Sequence, residues 1–77
     1  MDWQARVFKI QEEATALNLT VYKLCVRAGV PYWTVQRWLS GASAPRLENF
    51  ELICSRLESE LAKVRAELFA KIVGQVA

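Results

Sequence analysis

From Arg46 to Val73 the chain reads RLENFELICSRLESELAKVRAELFAKIV, with no glycine or proline before Gly74. So long a run without a helix breaker, rich in Leu, Glu, Ala, Lys and Arg, predicts one long helix. At ~1.5 Å per residue that helix is roughly 40 Å long, more than a chain of this size covers on one side. Phe50, Cys54, Leu57, Leu61, Val64 and Leu68 alternate at spacings of four and three, a heptad seam that Lys71 interrupts. The distal half, from about Leu61, therefore packs against a second copy or folds back. A break is the alternative, because Ser55 and Glu58 have the spacing of a capping box that would start a new helix there.

Shorter helices fill the rest of the chain. Trp3, Val7, Ile10, Ala14 and Leu17 make one apolar stripe on a first helix at about residues 2–17, closed by Asn18 in the left-handed conformation. Thr20 is suited to cap a second helix, Val21 to Ala28, with Leu24, Cys25 and Ala28 pointing inward and Gly29 ending it. Val30 leads into a third helix opened by Pro31 in its first turn and closed at Ser40 and Gly41, with Val35 and Trp38 inward. No segment has the period-two alternation of a strand. The expected fold is an all-α bundle of four to five helices with a long C-terminal helix.

At 77 residues one core leaves a monomer marginal, so a symmetric partner is expected. Apolar residues make up 53% of the chain but never form the roughly 20-residue run that spans a bilayer. With no signal-peptide pattern in MDWQARVFKIQEE, the expectation is a soluble cytoplasmic protein with no membrane partner. There is no histidine, and Cys25 and Cys54 lie far apart without a CxxC pattern, so neither a metal nor another cofactor is expected. Both cysteines read as small buried hydrophobes, a disulfide between them being the remaining alternative. No catalytic constellation is visible, and an enzyme is not expected.

Charge is informative by its placement. The net +2 divides into −1 over residues 1–13, +4 over residues 14–47 and −1 over residues 48–77. The middle third carries Lys23, Arg27, Arg37 and Arg46 with no acid, as a polyanion-facing surface requires.

That middle third holds TVYKLCVRAGVPYWTVQRWLSG, Thr20 to Gly41, which resembles the helix-turn-helix of the phage-repressor and Cro-like (lambda-repressor-like, XRE-type) family. Counting from Val21, the turn glycine falls ninth, at Gly29. Leu24, Ala28, Val30, Val35 and Trp38 hold the apolar positions, and Cys25 stands where close helix approach asks for a small residue. IQEEATALNLT resembles the family's first helix and APRLENFELICSRL its fourth, with Leu47, Phe50, Ile53, Cys54 and Leu57 at core positions. The resemblance covers residues 10–57. It departs at Val21, where a polar residue often touches DNA backbone, at Pro31, which removes a backbone donor from the start of the third helix, and at Glu58, where the family's helix often stops.

The resemblance implies a sequence-specific regulator of transcription on double-stranded DNA, with the third helix in the major groove. Base reading then falls to Tyr32, Trp33, Gln36 and Arg37, glutamine and arginine having bidentate matches to adenine and guanine. Phosphate contacts fall to Thr20, Lys23, Ser40, Ser43 and Arg46. The competing reading is a protein-interaction module of the same fold, docking a partner through Tyr32 and Trp33. Residues 1–58, with the motif at 21–40, read as the DNA-binding domain, and 59–77 as an extension that makes a homodimer through Leu61, Val64, Leu68 and Ile72. In a parallel seam Glu60 and Arg65 would pair across chains. The open alternative is that Leu61, Val64, Leu68, Phe69, Ile72 and Val73 pack on the first helix instead. A repressor from a phage or mobile element, in a bacterial or phage-infected cell and touching RNA polymerase beside a promoter, is the fullest form of this expectation.

Overall fold

Residues 2–76, with side chains as far as Gly74, are described by a computed structural model. Among them stand four helices: α1 (Trp3–Ala16), α2 (Val21–Ala28), α3 (Tyr32–Ser40) and α4 (Leu47–Val76). Local chemistry sets their ends. Asp2 Oδ1 accepts the amides of Gln4 and Ala5 at 3.1 and 3.4 Å, and Thr20 Oγ1 accepts that of Lys23 at 3.1 Å. α1, α2 and α3 each close on a left-handed residue, Asn18, Gly29 and Gly41. The next amide then reaches back: Leu19 to the Ala14 carbonyl at 2.8 Å, Val30 to Cys25 at 3.0 Å and Ala42 to Arg37 at 3.0 Å. Pro31 stands just before α3 rather than in its first turn, and no side chain caps that helix.

α4 is unbroken over 30 residues and runs most of the 48 Å length of the molecule. The capping box does not form. Glu58 is held by Arg6 of α1, whose Nε and Nη2 donate to its carboxylate at 3.1 and 2.8 Å, while Nη1 donates to Glu51 at 2.8 Å. Together with Glu13 beside Arg65 at 3.7 Å, these contacts lay α1 alongside α4 in the same direction. Hydrogen bonds to Glu58 first and Glu51 second hold the Arg6 guanidinium even further above its ordinary pKa.

The inward stripes meet in one core of Val7, Ile10, Ala14, Leu24, Cys25, Val30, Val35, Trp38, Phe50, Cys54, Leu57 and Leu61. α3 rests on α1 and α2. It reaches α4 through Trp38, whose ring lies 5.5 Å from that of Phe50. Two expectations change here. Leu47 has the spacing of a core residue but is exposed, because it opens α4 at the rim of the bundle. Leu61 and Val64, expected to pair with a second chain, are buried within this one. The core thus continues past residue 58, where an extension was expected to begin. Among the described residues no helix is long and apolar enough to cross a membrane.

Cys25 and Cys54 are free thiols, both buried. Loss of water pushes each thiol from its ordinary value near 9 up to about 11. Because the fold holds the thiol proton more tightly than the unfolded chain does, this contribution to stability is complete below about pH 9 and is lost as pH rises toward about 11. The native chain should resist iodoacetamide at neutral pH and react at both sites once unfolded, which mass spectrometry of alkylated protein will check.

Candidate nucleic-acid interface

α2 and α3 are joined by Gly29, Val30 and Pro31. Gly29 takes a φ of 71°, and the Val30 side chain is buried under the turn. With Leu24 and Cys25 inward on α2, and Val35 and Trp38 inward on α3, the opposite side of α3 is left to solvent. Trp33 and Arg37, one turn apart, and Ser40 are exposed there, with Gln36 half-buried beside them. No ion pair engages Arg37 among the described residues.

Tyr32 is placed differently from the sequence expectation. Its ring packs against the core, edge-on between Tyr22 of α2 at 5.2 Å and Trp33 at 5.4 Å, and its hydroxyl donates to Gln36 Oε1 at 3.2 Å. It braces its neighbours instead of projecting with them. Tyr22 itself is exposed, and it is not among the residues that the sequence assigns to this face. Its place opposite Tyr32 depends on the angle between α2 and α3, so no spacing within either helix marks it.

The expected phosphate residues divide. Thr20 accepts the Lys23 amide and keeps its own hydroxyl proton for donation, whereas Ser40 already donates to the Arg37 carbonyl at 3.1 Å. Lys23, Ser43 and Arg46 are exposed. Val21, apolar at the position where the resemblance puts a polar residue on DNA backbone, packs against the core.

The fold also reduces the basic excess of the middle third. Arg27 turns from this face to α4, its Nε donating to Glu60 at 3.1 Å and its Nη2 reaching Glu67 at 3.3 Å. Glu60 and Glu67, seven residues apart on one helical face, were the signal available for that clamp. The same contact, with Glu13 beside Arg65, engages within one chain the two residues expected to pair across a seam. Lys23, Arg37 and Arg46 remain unpaired among the described residues, although Glu48, in the first turn of α4, stands two residues from Arg46.

Two helices locked across a glycine turn, with Arg37 on the outer face of the second and supporting helices on both flanks, define the architecture. Residues 10–64 match the model of the Helix-turn-helix family. The chain belongs to this family. Its fold is accordingly all-α and lambda-repressor-like, and membership of the helix-turn-helix family implies DNA binding. No curated protein and no solved structure matches the chain.

Proposed function

We propose that this helix-turn-helix protein is a sequence-specific regulator of transcription that binds double-stranded DNA as a homodimer, with α3 in the major groove. The observation that carries the reading is the outer face of α3, where Arg37 is exposed and unpaired beside Gln36. Arg37 grips guanine O6 and N7, and Gln36, oriented by Tyr32, reads an adjacent base. Thr20, Lys23, Ser43 and Arg46 set the register on phosphates, with a smaller share from Ser40. Regulation follows from occupancy of a promoter or contact with polymerase beside it, in a bacterial, phage or mobile-element setting.

The dimer forms through the part of α4 beyond the core. Leu68, Phe69, Ile72 and Val73 are exposed along one side of the helix and lie past the cover of α1 and α2. Leu61 and Val64 support that segment from inside. Four side chains per chain make a patch well below the ~800 Å² per partner of a stable interface, so pairing is weak in solution and is completed on two half-sites about one helical turn, ~34 Å, apart.

Binding to random and to selected duplexes across a range of salt tests the reading. Affinity for both should fall steeply with salt, while the selected duplex keeps its advantage. Weak binding to every duplex with no salt dependence refutes DNA reading and assigns Trp33 and its neighbours to a protein partner. The double variant Leu68→Glu/Ile72→Glu, at exposed positions, should stay folded and occupy half-sites singly. Band shifts in which it still fills the two half-sites as cooperatively as the parent refute the role of the tail.

A further inference from the structure

Trp33 is 74% exposed at the second residue of α3, although nothing in the stability of the bundle calls for an indole there. Its neighbours hold it in place. The Tyr32 ring meets it edge-on at 62°, and Tyr22 meets Tyr32 in turn at 77°. Tyr32 cannot swing away freely, because its hydroxyl is bonded to Gln36. The three rings therefore form a braced apolar edge at the start of the reading helix, where little side-chain freedom is left to lose on binding.

We infer that this edge reads the C5-methyl group of a pyrimidine, in thymine or 5-methylcytosine, close to the guanine held by Arg37. The inference rests on the DNA-binding reading above. Its chemistry follows from what the major groove offers: donors and acceptors on every base pair, and an apolar feature only where C5 carries a methyl group. An indole face has no acceptor for a base amine and matches the methyl. Trp33 and Arg37 are four residues apart on one helical face, about 6 Å along the axis. With base pairs spaced about 3.4 Å apart, the methyl belongs to a pyrimidine one or two steps from the guanine. Unpaired Lys23, next to Tyr22 on α2, and Arg37, one turn from Trp33 on α3, favour this polyanionic ligand over an acidic-faced or neutral one.

The test uses the full chain and a duplex selected from random sequence. Each thymine is replaced in turn by deoxyuridine, which removes only the methyl group. At one position in each half-site this should weaken binding about threefold to fivefold, the value of one buried methyl. At that position a cytosine should bind more weakly than 5-methylcytosine by a similar factor, and the two arms separate the sources of the methyl. Trp33→Ala, at an exposed site, should keep its helical spectrum and its preference for guanine while losing the methyl effect. Tyr22→Ala should lose part of it, since Tyr22 acts only through Tyr32. Equal affinity of the wild-type chain for thymine and deoxyuridine duplexes at every position overturns the inference and leaves base reading by Arg37 intact. Trp33→Ala that weakens both duplexes equally overturns it as well. Failure of the DNA-binding reading is distinct, since then no selected duplex emerges.

Discussion

Phe50→Ala is expected to cost about 3–5 kcal/mol, the range for deleting a fully buried aromatic ring. Phe50 is almost fully buried at the end of the first turn of α4, against Trp38 of α3, with the Arg6 guanidinium 5.5 Å above its ring. It is the point where α1, α3 and α4 meet. A domain of this size has a net stability of about 4–11 kcal/mol, so the change removes a large share of it. The thermal midpoint should drop by roughly 15–30 °C in far-ultraviolet circular dichroism. Trp38 loses its ring partner, so the orientation of α3 loosens before the helix itself unwinds. Leu47→Ala is the control: three residues earlier on the same apparent stripe, but exposed, it should stay within about 0.5 kcal/mol of the parent. Equal losses at the two positions contradict the burial of Phe50 and the exposure of Leu47.

The contrast between Leu47 and Phe50 shows where a sequence is legible and where it is not. Helix ends depend on groups within a few residues of one another, so Thr20, Gly29 and Gly41 mark α2 and α3 almost to the residue. Apolar periodicity marks a face but not what covers it. The same four-three spacing runs through Leu61, Val64 and Leu68, yet the cover given by α1 and α2 ends near Val64. Where intramolecular core gives way to an exposed stripe is set by the lengths of other helices. Ion pairs follow the same logic. Glu60 and Arg65 suit an interchain pair by register, and geometry instead brings Arg27 and Glu13 within reach. Within the interface, Trp33 and Arg37 could be assigned to the outer face of α3 from spacing alone, whereas Tyr32 sits at the border of that face. Tyr22, on a different helix, decides which way its ring lies.

Arg37→Ala is expected to remove most of the sequence preference while sparing the fold. The side chain is exposed and makes no ion pair among the described residues, so its removal should leave the melting curve within about 0.5 kcal/mol of the parent. On DNA the cost is different. One bidentate contact to guanine is worth about 1–3 kcal/mol of discrimination, and a dimer makes it in both half-sites. The selected palindrome should therefore bind roughly 30-fold to 10⁴-fold more weakly, while random duplexes lose only the affinity of a distant positive charge. Lys23→Ala should behave in the opposite manner, lowering affinity for both duplexes alike and reducing the salt slope by about one per chain. Arg37→Lys should not restore selectivity, since an ammonium lacks the planar fork that matches O6 and N7 together. Band-shift titrations of selected and random duplexes at several salt concentrations separate these cases. If Arg37→Ala weakens both duplexes equally, Arg37 is a phosphate contact, and reading must pass to Gln36 and to the aromatic edge beside it.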